Sequence, residues 1–245
     1  SPRFSFDERH LAYQACTSTC AIVIQSIDGG SVNTVKHASD KVSLSYPSFH
    51  PNTDRVLFVR AERRPDGYTD SQLATSRRDG SNFELLTKSN VFKRSATYSY
   101  DAKRIAFLGN EPNLVRSETR KYQSTDIYEL DLATSREKLL TDLRLVDISA
   151  PSYTSDGLHV LFSAVGSIRP RSRGKAPSTP LQNLYPGKTL FIAPTDGSHT
   201  LAPIAAPISK SSMPIALRDG TVAFLGETAE GEGEERRYGH AVFVV

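Results

Sequence analysis

The chain has 245 residues, 38% of them hydrophobic, and a formal net charge of +3, so it reads as a soluble, globular chain able to bury a large core. No apolar run approaches the ~18 residues of a membrane-spanning helix, and the charge is too small to point to nucleic acid. It begins at Pro2 inside a predicted strand with no basic and apolar leader, so any export signal is expected to have been removed or never present.

Five repeats follow one another. The first opens with Ser1-Pro2-Arg3-Phe4, continues into a strand at Leu11-Ala12-Tyr13 and a third at Ile22-Val23-Ile24, and turns at Asp28-Gly29. Asp-Gly is a strong hairpin signal. Between the second and third strands lie Cys16 and Cys20, the two cysteines of the chain, placed to face each other across a hairpin tip. A disulfide there is geometrically reasonable and points to an oxidising compartment. Two free thiols, or metal or redox chemistry, are the alternatives, but C-x₃-C is not the redox spacing and no second pair completes a structural zinc site.

The second repeat runs from Tyr46-Pro47-Ser48-Phe49 through Val56-Leu57-Phe58 and Leu73-Ala74 to Asp79-Gly80, with a fourth strand expected over Phe83 to Leu86. Its second strand is apolar on both alternating faces, as expected of a sheet covered on both sides by other sheets. In the third repeat Ala96 replaces the proline in Ser95-Ala96-Thr97-Tyr98, before Ile105-Ala106-Phe107, Ile127-Tyr128, a turn at Ala133-Thr134 and a fourth strand over Glu137 to Leu140. These fourth strands end in the same Leu-Leu-Thr, at Thr87 and Thr141. The fourth repeat has Ala150-Pro151-Ser152-Tyr153, Val160-Leu161-Phe162, Leu190-Phe191-Ile192 and Asp196-Gly197. The fifth, weaker, has Met213-Pro214-Ile215-Ala216, Val222-Ala223-Phe224 and a third strand expected over Ala241 to Val245.

Repeats of four short strands at this period predict an all-β fold, a β-propeller of four-stranded antiparallel blades. Residues 1–245 read as a single propeller domain with repeats starting near 1, 46, 95, 150 and 213, the last incomplete. The ring is expected to be part of a six-bladed or larger one, leaving an uncovered outer edge on the last sheet.

The variation sits in one connection. The second and third strands are joined by inserts from Arg60 to Ser71, Gly109 to Asp126, Gly166 to Thr189 and Gly226 to His240, while the other intervals are nearly constant. In a propeller these connections share one face, and loops on a rigid scaffold are where binding resides. The fourth insert carries Arg169, Arg171, Arg173, Lys175 and Lys188 without an acid; the fifth carries Glu227, Glu230, Glu232, Glu234 and Glu235 against Arg236 and Arg237. Arg169, Arg171, Arg173, Lys175, Glu232, Glu234 and Glu235 are therefore the candidate partner-binding residues, a basic patch beside an acidic one able to orient a partner.

No catalytic residue is nominated. There is no G-x-S-x-G nucleophile elbow. Gly187-Lys188-Thr189 ends like a phosphate-binding loop, but the glycine such a loop requires is Gln182 and a strand follows where a helix is needed. Ser135-Arg136-Glu137-Lys138 and Ser172-Arg173-Gly174-Lys175 match S-x-x-K away from any predicted helix, and His10, His37, His50, His159, His199 and His240 are scattered, so no metal site or cofactor is expected.

The repeats resemble those of the TolB-type, WD-like propeller family. The matching residues are Pro2-Arg3-Phe4-Ser5-Phe6-Asp7 with Leu11-Ala12-Tyr13, Tyr98-Ser99-Tyr100-Asp101 with Ile105-Ala106-Phe107, Tyr153-Thr154-Ser155-Asp156-Gly157, and Asp126-Ile127-Tyr128-Glu129-Leu130-Asp131. TolB resembles six such blades preceded by an α/β domain, and this sequence has neither that domain nor a sixth repeat, so it is expected to be a fragment or a divergent propeller with unusual closure. The resemblance implies a non-catalytic propeller of the cell envelope, periplasmic or secreted, that binds another protein through its loop-rich face without entering a membrane. Two other readings share the repeat: the propeller of a prolyl-oligopeptidase-like serine peptidase without its hydrolase domain, and a sugar-active propeller of the oligogalacturonate-lyase kind, with a small molecule or sugar in the central channel.

Overall fold

Short proline- and aspartate-punctuated segments give short strands, and strand order follows chain order within each sheet. The computed structural model describes residues 2–37, 39–65, 67, 69–110, 125–142, 147–165, 188–204, 211–217, 219–230 and 237–244. Among these residues there is no helix. The first sheet is β1 (Arg3–Phe4), β2 (His10–Cys16), β3 (Cys20–Ser26) and β4 (Val32–Val35); the second is β5 (Val42–Phe49), β6 (Arg55–Arg63), β7 (Thr69–Arg77) and β8 (Glu84–Leu85). The third is β9 (Phe92–Tyr98), β10 (Arg104–Asn110), β11 (Asp126–Asp131) and β12 (Arg136–Leu139), and the fourth β13 (Ser152–Tyr153), β14 (His159–Val165), β15 (Lys188–Pro194) and β16 (Ala202–Pro203). The fifth has three strands, β17 (Ser211–Ala216), β18 (Val222–Glu230) and β19 (Arg237–Val244). These are the antiparallel blades of a β-propeller.

The chain divides into two compact units, Ser1–Ser117 with Glu129–Glu137, and Glu118–Tyr128 with Lys138–Val245. In the first, β5 lies against β1, β2 and β3, and β9 against β5, β6 and β7. Ala12, Ile22, Ile24 and Val35 from the first sheet interlock with Val42, Leu44, Phe49, Val56, Phe58 and Ala74 from the second, with Phe6 at the margin. Each large aliphatic or aromatic side chain so buried contributes roughly 1.5–3 kcal/mol. Val56, Leu57, Phe58 and Val59 of β6 are all buried, so both faces of that strand are covered. In the second unit β17 lies against β13, β14 and β15.

The sequence repeats have local physical causes. In the first hairpins, the hydroxyls of Ser5, Ser99 and Thr154 donate to Asp7, Asp101 and Asp156 Oδ1 at 2.5, 2.6 and 2.6 Å and accept from the amides of His10, Arg104 and His159 at 2.9, 3.0 and 3.1 Å. The same carboxylates accept the amides of Arg9, Lys103 and Leu158, which closes each turn. Leu-Leu-Thr is a clamp. Thr87 Oγ1 accepts the amide of Leu73 at 2.9 Å and donates to Gln72 Oε1 at 2.8 Å; Thr141 Oγ1 accepts the amide of Ile127 at 2.9 Å and donates to Asp126 Oδ1 at 3.0 Å.

Two features depart from the sequence reading. The proline segments do not begin their strands: β5, β9 and β17 start three to five residues earlier, and each carries a bulge at a residue with positive φ, Tyr46 (54°), Ser95 (48°) and Met213 (53°), just before Pro47, Ala96 and Pro214. A bulge leaves a residue unpaired, which is why proline, lacking an N–H, is tolerated beside it. The inserts are also partly hairpin. β6 runs to Arg63 and β7 restarts at Thr69, while β18 runs to Glu230 and β19 restarts at Arg237, so Glu227 and Glu230 are strand residues. Lys188 likewise belongs to β15, with its Nζ 3.1 Å from Asp147 Oδ2.

Candidate functional site

The second-to-third-strand hairpins end on the pairs Cys16↔Cys20, Arg63↔Thr69, Val165↔Lys188 and Glu230↔Arg237. The ladder thus stays in register up to the point where each connection departs, whatever its length. Cys16 and Cys20 are joined by a disulfide, with Cα atoms 4.0 Å apart, and Gln14 Nε2 donates to Cys16 Sγ at 3.1 Å. The Cys20 amide donates to Ser43 Oγ on the second sheet, tying the tip to its neighbour.

In the first unit this end of the second sheet holds a cleft of about 210 Å³ lined by Arg64, Thr69, Asp70, Ser71, Asn90, Val91 and Phe92. Arg64 Nη2 is 3.5 Å from Asp70 Oδ2, and Gln72 Nε2 donates to Asp70 Oδ1 and to the Ser89 carbonyl, both at 2.8 Å. Beneath it lies a buried ion pair. Lys93 is fully enclosed; its ammonium donates to Ser89 Oγ at 2.8 Å and the Val91 carbonyl at 2.9 Å and lies 3.5 Å from Glu137 Oε1. Glu137 Oε2 accepts the Ser89 hydroxyl at 2.8 Å. Burial holds the Lys93 ammonium below its ordinary pKa, against the opposing pull of Glu137. Sequence reasoning misses this pair, because lysine and glutamate in exposed-looking segments read as surface. The signal available was Lys93 at an inward position of β9, three residues before Ala96.

The histidines are held separately. His10 Nδ1 lies 2.9 Å from Arg78 Nη1 and 3.9 Å from Asp7 Oδ1; His50 meets Tyr98 edge-on at 4.8 Å between ring centroids, and burial followed by the Arg55 charge lowers its pKa. His199 Nδ1 faces the Leu140 carbonyl at 3.3 Å. Among the described residues no three His, Cys, Asp or Glu side chains gather as metal ligands would. The S-x-x-K residues Ser135 to Lys138 lie at a turn and in β12, and Lys188 opens a strand. Arg169, Arg171, Arg173, Lys175, Glu232, Glu234 and Glu235 all lie outside the described residues.

Against known proteins, no family model matches the sequence. No curated protein matches it either. Solved structures do. TolB from Acinetobacter baumannii superposes with a TM-score of 0.63 at 16% identity, over 96% of this chain and 50% of that one. The fold is that of the TolB-type β-propellers. A putative TolB from Agrobacterium tumefaciens gives 0.62 at 16% identity, over 100% of this chain and 79% of that one. This chain thus spans about half the length of the Acinetobacter protein. Enzymes share the TolB-like architecture: an oligogalacturonate lyase in complex with manganese (TM-score 0.59, 10% identity, 94% of this chain, 58% of that one) and Pyrococcus horikoshii acylaminoacyl peptidase (0.55, 13%, 100% and 37%). At such identities the likeness is one of fold.

Proposed function

We propose that the protein is a non-catalytic propeller scaffold of the cell envelope, periplasmic or secreted, that binds another protein through the connections between its second and third strands, residues 1–245 acting as one propeller domain. One observation carries this reading: the repeated serine- or threonine-aspartate turns fix one end of the sheets, while the other end keeps strict pairing up to connections of very different length. A scaffold constant at one end and varied at the other is the arrangement of a binding protein. The Cys16–Cys20 disulfide supports an oxidising compartment, and the TolB-like fold agrees with it. No cofactor is needed. The basic residues Arg169, Arg171, Arg173 and Lys175 would attract an acidic surface on the partner, and Glu232, Glu234 and Glu235 a basic one, steering encounter more than setting affinity.

The experiment is capture of partners on the immobilised full chain, followed by association rates at low and moderate ionic strength for the native protein and a variant with all four basic residues changed to serine. Slower association with a weaker salt dependence is expected, at unchanged thermal stability. Equal rates at both ionic strengths would remove the basic segment from the site. Shortening the 166–187 connection without loss of capture would remove the connection itself.

A further inference from the structure

The walls of the cleft at the end of the second sheet are held from behind. The Gly67 amide donates to the Arg64 carbonyl at 3.0 Å, with Gly67 at φ 80°, and the Arg63 amide donates to the Lys41 carbonyl at 3.2 Å, so the Arg64 backbone sits in a closed turn. Across from it stands Asp70. Its Oδ1 accepts Gln72 Nε2, and Gln72 is itself held by the Ser89 carbonyl and, through Oε1, by the Thr87 hydroxyl. The Leu-Leu-Thr clamp of the second sheet thus reaches the cleft through Gln72 and fixes the Asp70 carboxylate. Ser71 is 2% exposed, and its Oγ accepts the Lys93 amide.

Much of the bonding capacity lining this space is unspent. Arg64 Nη2 and Asp70 Oδ2 lie 3.5 Å apart, beyond the roughly 2.7–2.9 Å of a charge-assisted hydrogen bond, and the Arg64 side chain is half exposed. Among the described residues no acceptor takes the Ser71 hydroxyl proton, and the side chains of Thr69 and Asn90 have no hydrogen-bond partner. The charges balance: Arg64 stands against Asp70 at the cleft, and Lys93 against Glu137 beneath it. A lone carboxylate would be drawn to Arg64 and repelled by Asp70, and a lone ammonium the reverse. A molecule carrying both charges close together is attracted at both ends. At about 210 Å³ the space falls below the roughly 300–1,000 Å³ of sites for drug-sized ligands, so its occupant is small.

We propose that this cleft binds a free α-amino acid, its carboxylate on Arg64 and the neighbouring hydroxyl and carboxamide donors, its ammonium on Asp70 Oδ2. One carbon separates the two charged groups of such a ligand, which suits a cation and an anion that stand side by side. A dipeptide spaces its terminal charges too widely to meet both. Arginine fits the carboxylate because its planar fork bonds two oxygens at once, and Asp70, with its other oxygen fixed by Gln72, is preorganised for the ammonium. The site uses no residue of the longer connections of the fourth and fifth repeats, so it stands or falls separately from the protein binding proposed above.

The test is isothermal titration calorimetry of the full chain with L-alanine, and with propionate, ethylamine and glycylglycine, which lack one charge or space the two apart. The expected result is saturable binding of L-alanine with Kd about 1 mM and binding at least about tenfold weaker for the other three. R64Q and D70N should each weaken L-alanine binding by at least about tenfold, while K88Q, which removes an exposed cation outside the cleft, leaves it unchanged. Arg64 is half exposed, so R64Q keeps the native circular dichroism spectrum and melting temperature. Absence of saturable binding, propionate or ethylamine binding as tightly as L-alanine, or full binding retained in R64Q each overturns the proposal.

Discussion

Removing the charge from Lys93 tests how the buried ion pair is held. Lys93→Met keeps most of the side-chain volume and deletes the ammonium, leaving Glu137 with its bond from the Ser89 hydroxyl but without its cation. Stripping one partner from a fully buried pair costs about 3–5 kcal/mol. Glu137 retains a sliver of solvent contact, 14% of its side chain, and one hydroxyl donor, so the loss expected for K93M is about 2–3 kcal/mol. Glu137→Leu is the harsher change, at about 3–4 kcal/mol, because Lys93 is wholly enclosed and keeps as hydrogen-bond acceptors only the neutral Ser89 and Val91, with the charge of Asp70 as a weaker attraction. The double variant K93M/E137L should recover at least half of the summed losses, since it leaves no orphaned charge. Urea unfolding followed by circular dichroism at pH 7 gives the cycle. Single losses that simply add would refute the coupling.

The turn aspartates Asp7, Asp101 and Asp156 are held below their ordinary pKa first by the Ser or Thr hydroxyl and further by backbone amides; their stabilisation is full above about 3.8 and lost as pH falls through the depressed values, so D7N/D101N/D156N should flatten the acid limb of melting temperature against pH. Thr87→Val and Thr141→Val each strip a buried acceptor from a strand amide and should cost about 1–3 kcal/mol in denaturant unfolding; a loss at one site but not the other would break the equivalence of the two clamps. Denatured, unreduced protein should show no titratable thiol, and C16S/C20S should cost no more than about 2 kcal/mol, since the closed loop is short; two thiols per chain would remove the disulfide and the compartment argument with it.

The fold was legible because its punctuation is local. Asp-Gly turns, Leu-Leu-Thr clamps and Ser/Thr-x-Asp turns each bind residues close in sequence, so their spacing survives as pattern. The extension of β18 to Glu230 was not legible, since Gly-Glu-Thr-Ala-Glu lacks the apolar alternation that marks a strand and takes its pairing from β19. The Lys93–Glu137 pair stayed hidden because it is made between segments far apart in sequence. Of the candidate site residues, the cysteines were readable from their place at a hairpin tip, whereas long charged connections specify composition and charge but no unique geometry.

The bulge at Tyr46 resets which side of the second sheet each side chain occupies. Val42 and Leu44 share the core cluster with Phe49, five residues beyond Leu44, a spacing that strict alternation forbids. Deleting one residue there would leave a regular ladder in which Leu44 still opposes Arg60 and, now four residues from Phe49, still faces the core. The bulge, like the hairpin ends, is thus a place where this chain can lose a residue without turning its core outward, and in the second and fifth repeats the proline beside it marks the place where the strand changes parity.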